Sequence, residues 1–134
     1  MSEIAKAVFS ILNAATPVTT LVSNRITPEA RTQGAALPCV VYSISSDDSE
    51  SALSGAGFRK AQIEVMCVAM TAAGASALHD AVRTSLHRIT GTFGGVVVLH
   101  SLHSKSLSQY QAPAAGESTG AFLQSAIFSV MYSE

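Results

Sequence analysis

The sequence predicts one α/β (α+β) domain over residues 1–134, of order α-β-β-α-β-β, with a mainly antiparallel sheet packed by two helices. Three observations carry this. From Arg59 to Ala69 the residues alternate, with Ala61, Ile63, Val65, Cys67 and Ala69 on one face and Lys60, Gln62 and Glu64 on the other, the period of a strand with one buried face. At Thr71 the period changes, and Leu78, Ala81, Val82, Leu86 and Ile89 recur at three- and four-residue steps, one apolar stripe on a helix. The length of 134 residues, without internal repeat or low-complexity tract, suits one core that needs neither metal nor disulfide.

The elements follow in order. A first helix is expected over Glu3 to Ala15, with Ile4, Ala7, Val8, Ile11 and Leu12 inward, stopped by Pro17. Val18 to Leu37 is loop-rich, punctuated by Pro28 and Gly34, with room for one helical turn around Thr19 to Val22. Cys39 to Ser46 reads as the first strand, its inner face Val40, Tyr42 and Ile44. Asp47 to Gly57 is a polar connection carrying Asp47, Asp48 and Glu50. The central strand and helix come next, the helix N-capped by Thr71 and ended by Gly91 as its C′ residue. Phe93-Gly94-Gly95 is a turn, Val96 to Leu107 a third strand, Ser108 to Thr119 a second long loop, and Gly120 to Ser133 a closing strand rich in aromatic and β-branched residues. Matching the apolar sets Val40/Tyr42/Ile44 and Ile63/Val65/Cys67 sets a register that puts Cys39 and Cys67 on opposite faces, hence two free thiols.

Composition narrows the function. Charged residues are only 13% of the chain, less than a small unassociated domain usually carries, which points to surface hidden in an oligomer. The formal net charge of −1 without a Lys/Arg run argues against a nucleic-acid module. The N-terminus is interrupted by Glu3 and Lys6, and the longest aliphatic run, Val96 to Leu99, is too short to span a bilayer. A soluble protein made in the cytoplasm, with no membrane partner, is expected.

No constellation of catalytic or cofactor-binding residues emerges. Cys39 and Cys67 lack a C-x-x-C partner. His79 and His87 are expected on the polar side of the long helix, a solvated or interface face, and His100 and His103, three apart on a strand, on opposite faces. No G-x-S-x-G elbow or phosphate loop is present, since Gly55-Ala56-Gly57 and Gly94-Gly95 are not followed by Lys-Ser/Thr. Asp47, Asp48 and Glu50 lack the glycine and glutamate spacing of a calcium loop; they are candidates for steering a partner by charge from a loop tip. No catalysis, metal or cofactor is expected.

The order of features resembles the tail-completion, or tail-terminator, proteins of long-tailed bacteriophages, prophages and gene transfer agents. It rests on an N-terminal helix, then Thr20-Leu21-Val22-Ser23-Asn24-Arg25-Ile26, then Gly34 to Tyr42, an acidic-to-glycine loop, and Gln62-Ile63-Glu64-Val65 leading into the Ala-rich helix. The resemblance covers nearly the whole chain. It implies a structural virion protein without catalysis: a homo-oligomeric ring, usually a hexamer, that caps the tail tube and joins it to the head. The tail tube protein and a head–tail connector protein would be its partners. Another head–tail connector, or a small non-viral α/β ligand-binding domain or enzyme, is the competing class. The sequence departs from the family where its central strand is apolar on both faces, from Met66 to Met70, which predicts cover on both sides of the sheet.

Overall fold

The alternating stretch from Arg59 to Ala69 becomes one of the two central strands of a six-stranded sheet. The computed structural model describes residues 3–23, 25–28, 38–51, 57–112 and 120–133, with the backbone alone for 3, 48–51, 57, 58 and 111. The elements are α1 (Glu3–Ala14), α2 (Thr16–Val22), β1 (Ile26–Pro28), β2 (Cys39–Ser51), β3 (Gly57–Ala69), α3 (Ala72–Leu86), β4 (Gly91–Phe93), β5 (Val96–Gln111) and β6 (Ala121–Ser133). The sheet order is β1-β2-β3-β6-β5-β4. Among the described residues, only the β1–β2 pair is parallel. The expected order of two helices and four strands is borne out; α2, β1 and β4 are short additions to it.

Parity along the strands decides the layers. Val40, Tyr42, Ala61, Ile63, Val65, Cys67, Ala126, Phe128, Val130 and Tyr132 share one face and are buried there with Ile4, Val8 and Leu12 of α1, Val18 and Val22 of α2, and Leu78, Val82 and Leu86 of α3. Each large aliphatic or aromatic side chain so buried stabilises the fold by roughly 1.5–3 kcal/mol. The opposite, outer face carries a smaller buried cluster of Cys39, Val68 and Ala121, with Met66 and Leu123 packed against it. The register is the one read from the apolar sets, with Val40↔Cys67, Tyr42↔Val65 and Ile44↔Ile63. Both cysteines are buried and free, Cys67 in the inner core and Cys39 in the outer cluster. Burial pushes the Cys67 thiol up to about 12, with the nearby Cys39 adding to it.

Several boundaries differ from expectation. Pro17 does not merely end the first helix; it lies at the start of α2, where its missing N–H costs nothing, and the two helices meet at 80°. Thr71 caps α3 as expected, its hydroxyl accepting from the Gly74 amide at 3.0 Å. Gly91 is not the C′ residue. Arg88 takes the left-handed conformation with φ 59, because its amide donates to the Ser101 carbonyl at 2.6 Å and ties the helix end to β5. The connection expected from Asp47 to Gly57 is largely strand: β2 runs to Ser51, and β3 begins at Gly57. Likewise β5 continues through Ser108 to Gln111. Ser, Asp and Glu disfavour strands on propensity alone; pairing with a strong neighbour overrides that here. The parts of the loop-rich segment at 29–37, and of the two connections at 52–56 and 113–119, lie outside the described residues. The β2–β3 and β5–β6 connections leave from opposite ends of the sheet, since Ser51↔Gly57 closes one hairpin while Gln111↔Ala121 closes the other beside the Phe122↔Ala69 end.

The β4–β5 hairpin turns through Gly94 and Gly95, with φ 56 and φ 83. A two-residue turn of this kind needs positive φ at both positions. A Cβ on Gly94 would also stand 3.2 Å from the Lys6 carbonyl oxygen of α1, whereas one on Gly95 meets nothing within 4 Å. Gly94→Ala is therefore expected to lower the unfolding free energy by about 1–3 kcal/mol, and Gly95→Ala by less, as read from urea midpoints. Equal losses would show that the approach to α1 contributes nothing.

Candidate assembly surface

At the Ser51/Gly57 end of the inner face, three strands contribute one polar group each. The Tyr132 hydroxyl donates to Asp47 Oδ1 at 2.7 Å, and Arg59 Nε donates to the same oxygen at 3.1 Å. Arg59 Nε is also 3.1 Å from the Tyr132 oxygen, and its Nη2 is 3.4 Å from the Asp47 carbonyl. The hydrogen bonds to Asp47 and Tyr132 hold the Arg59 guanidinium above its ordinary pKa. Burial first, and then the bond to Asp47, pushes the Tyr132 phenol up to about 12. Asp47 is thus a strand residue with its carboxylate engaged, and not the tip of a loop. Asp48 and Glu50 also lie on β2, opposite Lys60 and Phe58, and their side chains are outside the described residues.

Histidines gather on the other flank of the inner face. His79 is only 8% exposed, against the expectation that it is solvated. It sits one turn from Ala75 and beside Leu78 on α3, and β5 closes over that flank of the helix. His79 Nε2 and His103 Nε2 lie 2.8 and 2.9 Å from the one Ser106 hydroxyl. The His103 amide donates to His87 Nδ1 at 3.0 Å, so His87 too faces the protein. The His103 ring packs edge-on against Phe128. His100 lies on the opposite face, as the three-residue spacing requires. Burial lowers the His103 pKa from 6.5, and the neighbouring His79, Arg83 and His87 charges lower it further. Among the described residues, no three His, Cys, Asp or Glu side chains are placed to hold a metal ion together.

Several large apolar side chains remain exposed. Val97, Leu102 and Leu107 share the outer face of β5, and Leu107 is 50% exposed. At the Ala69 end, Met70 and Tyr110 are 58% and 54% exposed. Two clefts flank the start of α3 there. One of ≈ 350 Å³ is lined by Ala72, Ala75, Tyr110, Phe122 and Leu123; the other, of ≈ 200 Å³, by Leu21, Pro38, Met70, Gly74 and Leu78. Apolar surface of this kind, on a chain with few charges, is suited to contact with other proteins. Sequence alone located the apolar strand faces but not their exposure, because exposure depends on which strand ends the sheet.

Comparison with known proteins agrees. A family model described as "Tail completion protein gp17" matches residues 6–112. No curated protein matches in sequence. Among solved structures, a chain of the "Virion of native gene transfer agent (GTA) particle" superposes with a TM-score of 0.66 at 12% identity, over 96% of this chain and 92% of that one. At that identity the likeness speaks for the fold.

Two outcomes test the polar groups. Tyr132→Phe is expected to lower stability by about 1 kcal/mol, and Asp47→Asn to lower it as well, in urea melts; an unchanged midpoint for both would make the trio incidental. His103 resists protonation in the fold, so its contribution is complete above pH 6.5 and is lost as pH falls from there through the lowered value. The melting temperature is expected to drop between pH 7.5 and 5.5, with a smaller drop in His103→Gln.

Proposed function

Since the chain belongs to the tail completion protein family, and so is a structural component of a phage tail, we propose that it forms a homo-oligomeric ring, six-fold, that caps the tail tube and joins it to the head. The tail tube protein on one side and a head–tail connector protein on the other are its partners, at the head–tail interface of the virion. The family match over residues 6–112 carries this. The exposed apolar side chains on β5 and at the Ala69 end supply contact surface for it. Nothing in such a role calls for catalysis or a cofactor.

The division of the surface fits two partners. One end of the sheet presents Met70, Tyr110 and two apolar clefts. The other end bears the acidic stretch of β2, where Asp47 is held by Arg59 and Tyr132; Asp47, Asp48 and Glu50 together give this end its negative charge for steering a partner. Steering of this sort weakens with salt.

Electron microscopy of particles made without this chain tests the proposal. Tails of irregular length, detached from heads, are expected, and supplying the chain should restore uniform, joined tails with added density at the tube end. Uniform tails joined to heads in its absence would overturn the role.

A further inference from the structure

Among the described residues, the short end strands cover only part of each edge of the sheet. On one, β4 pairs only with Val96, Val97 and Val98, although β5 continues to Gln111. On the other, β1 pairs only with Val40, Val41 and Tyr42, although β2 continues to Ser51. Among the described residues, no strand lies beside the outer edge of β5 beyond Val98 or of β2 beyond Tyr42. Residues Ser104 to Tyr110 are all exposed. Monomeric proteins protect such edges with charge, proline or bulges. Here the bulge and Lys105 stand at the start of the stretch, and Ser106 to Tyr110 carry neither.

Hydrogen bonds already made show which backbone groups face outward. The Ser101 carbonyl and the His103 amide point away from β6, to Arg88 and His87. Alternation resumes after the bulge between His103 and Lys105, so Ser106, Ser108 and Tyr110 turn their N–H and C=O groups to the open edge. On the far side, the Val40 amide points away from β3 to the Arg25 carbonyl. Carrying alternation past the bulge between Ile44 and Ser46 puts the groups of Asp47, Ser49 and Ser51 on the other open edge.

We infer that neighbouring copies of this chain join by strand addition, the open edge of β5 pairing antiparallel with the open edge of β2 in the next copy. The partner is argued from polarity and charge. β2 runs parallel to β6 and therefore opposite to β5, so rotated copies present an antiparallel match without inverting either one. The β2 edge carries acids at positions 47, 48 and 50; pairing it with itself would set like charges across from each other. The β5 edge carries one charge, Lys105. The inference deepens the ring reading, since a contact between two different edges is heterologous and generates rings when its rotation closes.

Proline can remove an outward N–H without touching the internal ladder. Ser108→Pro and Ser49→Pro are each expected to melt as the parent does, whereas Gln109→Pro, whose N–H faces β6, should melt far lower. By light scattering after size exclusion at up to hundreds of micromolar, the parent should form oligomers larger than a dimer. Each outward proline variant alone should be a monomer. An equimolar mixture of the two should give a dimer, because each supplies the edge the other lacks. Tyr110→Pro and Ser51→Pro replace either variant that fails to fold. A parent that stays monomeric overturns the inference whatever the tails show. A Ser49→Pro protein that dimerises alone points to two-fold β5 pairing and overturns it too. Oligomers that persist in both variants sink the strand pairing but leave the tail-capping role standing on its own test.

Discussion

The antiparallel pairing of β3 with β6 is the constraint on which the structure depends. It runs from Phe58↔Ser133 to Ala69↔Phe122 without a bulge. Because side chains alternate strictly, that one register decides that Ala61, Ile63, Val65 and Cys67 share a face with Ala126, Phe128 and Val130. A slip of one residue would turn Lys60, Gln62 and Glu64 into the helical layer and expose the apolar set. All the irregularities fall on the strands outside this pair: at Ser45 in β2, and at Leu99 and Ser104 in β5. The outer strands can bend and shift because the central two do not.

The helical side of the sheet is not uniformly apolar: it carries two polar clusters and, opposite Val130, the buried Ser101, whose hydroxyl has no hydrogen-bond partner among the described residues. Asp47, Arg59 and Tyr132 close the Ser51/Gly57 end, where each hydrogen-bonding group finds a partner on a neighbouring strand. His79, His103 and Ser106 fill the seam between α3 and β5. Buried polar groups are costly unless paired; both clusters are paired, and the Ser101 hydroxyl is the exception on this face among the described residues. The clusters fix which residue meets which across the sheet end and the helix seam, something aliphatic contacts alone do loosely.

How much of this was legible in the sequence depended on whether a signal was local. The period of two in β3, the stripe of α3 and the Thr71 cap need only neighbours in the chain, and all were readable. So was the register of β2 on β3, because two apolar sets of equal spacing can match in one way. β1 and β4 are three residues each and exist only because a longer strand lies beside them. The second half of β2 is written in Ser, Asp and Glu and is strand only by pairing. His79 reads as solvated because its helical neighbours Asp80 and Arg83 are polar, while His103 and Ser106, which meet its ring, lie more than twenty residues further along the chain. The acidic residues read as a loop tip for the same reason, since the carboxylate of Asp47 has its partners on two other strands. The assembly surface was the least legible of all. Sequence composition registered that surface was missing its charges, but which side chains are left bare follows from strand order.

The two short edge strands have a geometric consequence. β1 covers β2 at the Ala69 end, and β4 covers β5 at the opposite end. The open stretches are therefore diagonal to each other across the sheet. Bringing the open part of β5 beside the open part of a neighbour's β2 shifts the neighbour along the strands by about seven residues, or about 23 Å, over a sideways step of four strand spacings, about 19 Å. If the strands stood parallel to the assembly axis, that shift would be a rise, and copies would wind into an open helix. It becomes a closed ring only if the strands incline to the axis by about 50°, somewhat more than the 35–45° of closed barrels. Each copy then advances about 30 Å around the circumference, and six copies enclose a circle about 60 Å across at the sheet, too wide for side chains to fill. Under strand addition the short strands that cap each edge would do more than end the sheet: with diagonal stretches left open among the described residues, the tilt of the strands would decide whether the assembly closes.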